Sequence, residues 1–276
     1  MQRALLASAL AALVCAVIGT FVVLRGMAFM GDAIAHSSLA GMSVAFLWGG
    51  SVFWGALAWV VPASLAINWV SRRGNLRLDT SIGIIFVSGL ALGIILMSRA
   101  NNYTAPLFGL LFGNVLGASW SEVALIGGIA AGVVLVVVAL FKELLFVSYD
   151  RTMAAASGIP VRFLEYLLPV LVGVTTVASL KVVGIVLVLA LLITPAATAT
   201  LLARRLPGIM GTSVVIALVA TIAGLYLSFY ADLPSGPSIV MVSSGMFLLA
   251  LLFAPGKGVA WSWSGRSTRT VTESNH

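Results

Sequence analysis

From Ala4 to Leu24 the chain carries no charged side chain, and the same holds from Val182 to Ala203 and from Leu206 to Ala231. Runs of about 20 apolar residues match the length a helix needs to cross the hydrocarbon core of a bilayer. Lipid offers no hydrogen bonds to the backbone, so only helices and closed barrels can span it. The alternating pattern of barrel strands is missing, and helices are the expectation. Composition agrees: 61% of the 276 residues are hydrophobic and 8% are charged, against about 25% charged in soluble domains. A soluble fold of this size could not hide so much apolar surface. The chain reads as an all-α, polytopic membrane protein.

Hydropathy places about nine spans, with eight as the alternative count, at roughly 4–24, 32–49, 52–71, 80–98, 122–147, 163–180, 182–203, 209–230 and 237–254. Only Lys181 separates the sixth span from the seventh, so one of that pair is a candidate for a broken or re-entrant segment. With the first helix running inward, Arg25, Arg72, Arg73, Arg77, Lys142, Arg151, Arg162, Arg204 and Arg205 all face the cytoplasm. Arg3, Arg99 and Lys181 face outward, and the positive-inside rule selects this orientation. Residues 1–256 form one transmembrane domain, and the polar tail 257–276 is expected to be poorly ordered. Gly89 with Gly93, and Gly128 with Gly132, are pairs at the spacing that lets helices approach closely.

Several classes drop out. The net charge of +7 comes from arginines between apolar runs, where it sets topology and does not signal nucleic acid. Cys15 is the one cysteine, which excludes an internal disulfide framework. The first run lacks a small-residue cleavage site and reads as a retained helix. No phosphate-binding loop exists, because the three lysines are followed by Glu143, Val182 and Gly258. A transporter built from this chain therefore draws energy from a partner or from an ion gradient.

Two constellations carry chemistry. Asp32 and His36 stand one helical turn apart within Gly31-Asp32-Ala33-Ile34-Ala35-His36, which puts a carboxylate and an imidazole on one face. Both are ligands for divalent transition metals, and ionisable groups inside a membrane span are read first as functional. The bland readings are an N-cap for Asp32 and a hydrogen-bonded polar side chain for His36. The second constellation is the loop from Asp150 to Pro160. Asp150 is a good N-cap, the alanines 154–156 favour helix, and Gly158 before Pro160 stops it. About two turns of helix should lie there outside the membrane, suited to docking a partner.

These stretches resemble the membrane permease subunits of ATP-binding-cassette importers for zinc, manganese or iron(II). Gly31-Asp32-Ala33-Ile34-Ala35-His36 is similar to that family's Gly-Asp-Ala-x-x-His signature. The Asp150–Pro160 loop is similar to its Asp-x-x-x-Ala-x-x-x-Gly-x-Pro pattern, and Val183–Val188 leading to Pro195-Ala196-Ala197-Thr198-Ala199 looks like a third stretch. Asp232-Leu233-Pro234-Ser235-Gly236 adds a weaker match. The resemblance implies a fold like the cobalamin and siderophore importer permeases, in the bacterial cytoplasmic membrane. It implies a homodimer on two cytoplasmic ATP-binding subunits, supplied by an extracytoplasmic metal-binding protein. Asp150, Arg151, Ala154, Gly158 and Pro160 would form the coupling segment. The chain itself would be a transporter subunit and not an enzyme, with no permanent cofactor.

Doubling Asp32 and His36 across a two-fold axis would supply four ligands. The transported ion is read as zinc or manganese, with a slight lean to zinc from the two histidines. Pro195, which should kink its span, and Asp232, in an outer turn, are pathway candidates, as are Met27 and Met30 beside the metal pair. Glu143 and Glu165 are expected to be solvated at cytoplasmic helix ends. The competing function is a gradient-driven metal or proton-coupled carrier, although no inverted repeat with paired broken helices is visible. A membrane scaffold would leave the intramembrane carboxylate and imidazole without a purpose.

Overall fold

The computed structural model describes residues 2–99, 117 and 119–254, so the tail 257–276 lies outside the described residues. The described residues form eleven helices in chain order: α1 Gln2–Leu24, α2 Met30–Leu47, α3 Val52–Arg73, α4 Leu78–Met97, α5 Trp120–Ala139, α6 Phe141–Tyr149, α7 Arg151–Ala156, α8 Val161–Val183, α9 Ile185–Leu202, α10 Leu206–Ala231 and α11 Ser235–Phe253. All nine expected segments are helices. One of them, 122–147, breaks in two at Leu140, whose backbone leaves the helical region at φ −104° and ψ 21°. α5 therefore ends within the apolar run, and the short α6 begins with Phe141, Lys142 and Glu143.

Among the described residues, eight helices are long and apolar enough to cross a membrane, and α2 is not one of them. Asp32, His36 and three serines lower its hydropathy. Its surroundings nonetheless treat it as a span. At 1.5 Å per residue its 18 residues reach about 27 Å, close to the bilayer core of about 30 Å. It runs parallel to α4, where Ser37 meets Gly89 and Leu39 and Ala40 meet Gly93. It runs antiparallel to α3, with Gly41 on Trp59 and Ala45 on Gly55. The three helices form an up-down-up trio in which Ser37, Ser38 and Ser43 of α2 are buried in protein, while Asp32 and His36 stay part-exposed.

α1 and α8 are the buried centre of the bundle, with α5, α9 and α10 packed around α1 and with α2 and α3 against α8. Cys15, Ile18 and Phe21 are fully buried, so α1 belongs to the core. Gly19 lets α1 meet α9 directly, since a Cβ there would fall 1.9 Å from the Leu192 carbonyl oxygen. α8 and α9 are joined through Gly184 alone, at φ 83° and ψ 162°, a conformation that suits glycine. Both pass the length and composition of a span. Trp48, Trp54, Trp69 and Trp120 project outward at helix ends, the placement of an aromatic belt.

Candidate metal-transport site

The turn that sets α2 against α1 is a helix stop of the Schellman type. The Met27 amide donates to the Val22 carbonyl, the Gly26 amide donates to Val23, and Gly26 takes the left-handed φ of 66° that closure requires. Phe29 then occupies the N-cap of α2 with no side-chain cap, and Asp32 stands inside the first turn. The N-cap reading of Asp32 thus gives way to a first-turn carboxylate, near the positive end of the helix dipole. His36 follows one turn later, with Nε2 3.4 Å from Asp32 Oδ1. Two ligands about 2.1 Å from one ion at a tetrahedral angle would be about 3.4 Å apart, so the pair could grip a single ion without rearrangement. The side chains are 31% and 28% exposed for Asp32 and His36, which leaves both reachable.

Close packing holds the backbone beneath this pair. Gly31 abuts Leu192 near the middle of α9, and Thr176 of α8 lies alongside. Gly89 of α4 presses on Ser37, the residue after His36, and the Phe86 ring meets the imidazole edge-on at 5.5 Å between centroids. Ser43 Oγ donates to both Leu39 and Gly93 carbonyls, tying α2 to α4 one turn further along. Among the described residues no three His, Cys, Asp or Glu side chains gather into one ligand set. One chain offers a carboxylate and an imidazole.

The other expected residues lie elsewhere. Met30 is fully buried in the core, and Met27 borders a cavity of about 380 Å³ shared with Arg25, Asn68, Arg72, Arg151 and Glu165. Pro195 lies buried within α9, and Asp232 ends α10 in the left-handed region at φ 50°. In the loop, Asp150 Oδ1 accepts from the amides of Thr152 and Met153 at 2.8 and 3.0 Å and starts α7. Gly158 at φ 79° ends it with the same closure as α1, the Ile159 amide donating to Ala154 and the Gly158 amide to Ala155. Pro160 then leads into α8. Ala154 is fully buried on the inner side of α7, while Arg151 and Met153 are exposed.

Glu165 departs from the sequence reading. It is 9% exposed, not solvated, and its two carboxylate oxygens pair with Arg72 of α3 and Arg151 of α7. Asn68 donates to its main-chain carbonyl at 2.8 Å. Its partners are about 14 and 93 positions away in sequence, so the available signal was a carboxylate one turn inside an apolar helix. Arg25 approaches the same cavity, donating from Nε to Ser148 Oγ at 3.1 Å. Burial, reinforced by the charge of Arg151, lowers the Arg25 guanidinium to about 10, still charged at neutral pH.

Residues 1–254 match the ABC 3 transport family. The chain belongs to that family. The manganese transport system membrane protein MntC of Halalkalibacterium halodurans is 42% identical over 99% of this chain and 94% of its own length. The manganese import system permease protein ScaB of Streptococcus gordonii is 38% identical over 92% of this chain and 91% of its own. Among solved structures, PsaBC from Streptococcus pneumoniae in complex with Fab superposes with a TM-score of 0.82 at 38% identity, over 93% of this chain and 92% of that one. The present chain is thus a multi-pass permease subunit of a bacterial metal importer in the plasma membrane, a transport component rather than an enzyme.

Proposed function

We propose that this permease carries manganese(II) into the cell as one half of a homodimer driven by cytoplasmic ATP-binding subunits. Asp32 and His36 from each copy together form the passing site. The observation that carries this reading is the reachable Asp32–His36 pair, spaced for one ion on a helix whose backbone is locked by glycine contacts. A single chain supplies two ligands, and a second copy doubles them. Oxygen and nitrogen donors accept manganese, zinc and iron(II) alike, so the donor set does not sustain a lean to zinc. The manganese-named relatives at about 40% identity favour manganese instead. A site for passage must bind loosely enough to release its ion, which a four-ligand set split between two chains suits. The segment from Asp150 to Pro160 is the surface for the ATP-binding subunit, and an extracytoplasmic metal-binding protein delivers the ion.

The test is uptake of manganese by cells expressing the chain with its candidate ATPase, with zinc and iron(II) as competitors. Wild type should accumulate manganese, and Asp32→Ala or His36→Ala should fall to background while reaching the membrane at normal levels. Equal accumulation by wild type and both variants would remove the pair from the pathway.

A further inference from the structure

We infer that Glu165 is the positioning residue that joins the ATPase-docking segment to the metal-bearing helix, and that transport is coupled to ATP hydrolysis through it. The inference rests on the proposed function above. α7 is six residues long and could not hold its shape or place unaided. Its charged link to the bundle is Arg151, whose guanidinium reaches one oxygen of Glu165 while Arg72 takes the other. Arg72 also lies over the Tyr166 ring, at 5.8 Å from its centroid. The buried carboxylate thus sits between two cations that belong to different elements, α3 and α7, and is itself part of α8.

From Glu165 the contacts continue along α8 toward the site. Asn68 and Ser64 of α3 donate to the carbonyls of Glu165 and Pro169 at 2.8 and 3.2 Å, stitching the two helices antiparallel. Gly173 then brings α8 onto Val60 of α3 and Ile34 of α2, where a Cβ would fall 2.4 and 3.1 Å from their methyl groups. Ile34 lies midway between Asp32 and His36. A displacement of α7 is therefore delivered to α8 one turn inside its start, and α8 is packed against the residue between the two metal ligands. The cluster is also poised to break. Arg25, Arg72 and Arg151 all border the cavity in which Glu165 supplies the balancing carboxylate, and Arg25 Nη2 is buried without a partner. Removing one negative charge leaves three guanidiniums to repel one another, so α7 loses its hold rather than merely one contact.

The experiment uses the full chain with its ATPase in liposomes, measuring manganese moved per ATP hydrolysed, together with hydrogen exchange of residues 150–158. Glu165→Gln should lower the ratio at least fivefold and speed exchange in that segment, while the α1 amides stay protected. Glu165→Asp should restore a part of the ratio. Adding Arg151→Gln to Glu165→Gln should lower it little further, because both changes cut one link. A folded Glu165→Gln protein that keeps the wild-type ratio, or whose 150–158 exchange is unchanged, overturns the inference. Loss of thermal stability with the ratio intact overturns it too, and makes Glu165 purely structural. If the wild type shows no ATP-driven manganese uptake, the function reading falls and the coupling role falls with it. The exchange data would then still report whether Glu165 anchors α7.

Discussion

α4 and α5 each carry two glycines four residues apart, and the bundle treats the two pairs in opposite ways. Gly89 and Gly93 of α4 are filled by α2, with a Cβ at either meeting backbone or side-chain atoms at 2.6–2.8 Å. A Cβ at Gly128 or Gly132 of α5 would meet no neighbouring element within 4 Å among the described residues. The difference follows from what stands opposite. Ser37 and Ala40 give α2 a small surface of its own, so the α2 and α4 backbones can close on each other. α5 instead packs through Val123, Ile126, Ala130, Val133 and Val137, and that stripe turns its glycines to the other side of the helix. Close approach needs small residues on both partners, and a motif on one helix names no partner.

The largest expected effect is on assembly. Gly93→Leu forces a branched side chain between α4 and the Leu39–Ala40 backbone, and membrane-inserted, monodisperse protein should be lost in fluorescence-detected size-exclusion runs. Gly132→Leu should leave the profile unchanged. A collapse of the Gly132→Leu profile would mean that the outer face of α5 is covered in the intact assembly, and would end the contrast. Next in size is Gly89→Ala, where an added methyl would fall 2.6 Å from the Ser37 Cβ, an atom fixed to the helix backbone, so that α2 and α4 must shift apart. Overpacking of this kind costs about 1–3 kcal/mol, so the melting temperature in detergent should fall by several degrees. Manganese uptake should fall as well, because Ser37 adjoins His36. The smallest effect belongs to Gly128→Ala, a methyl added in open space on a helix. It should move the melting temperature only slightly and upward, since alanine favours helix over glycine by about 0.5–1 kcal/mol. A fall comparable with Gly89→Ala would place a close neighbour on α5 as well.

The parts legible beforehand were those encoded locally. Asp150, Gly158 and Pro160 delimit α7 because capping and stopping are decisions of one turn, made by the side chains themselves. The span limits came out within a few residues for the same reason: a change from apolar to charged is a change of solvent. Leu140 was missed because apolar Ala139 and Phe141 flank it, and hydropathy does not register a turn of the backbone. Asp32 and His36 were found by spacing, yet their separation of 3.4 Å and partial exposure depend on α4 and α9 holding α2 in place. Glu165 was misread because a glutamate near a helix end has the same local signature whether water or two arginines await it.

Taken alone, the sequence determined the solvent, the helices and their approximate ends, and the residues able to bind a divalent ion. Each of these depends on side chains within about 20 positions of one another, or on the cost of exposing charge to lipid. The tertiary structure decided which glycines are contacts and which are bare, that Glu165 joins α3 and α7 to α8, and that α2 packs with α3 and α4 in one trio despite its polar groups. Those outcomes depend on pairs such as Ser37 with Gly89, or Arg72 with Glu165, distant along the chain and adjacent only after folding. Burial strengthens an ion pair and tightens a glycine contact only when the partner is present, and no run of residues by itself contains its partner.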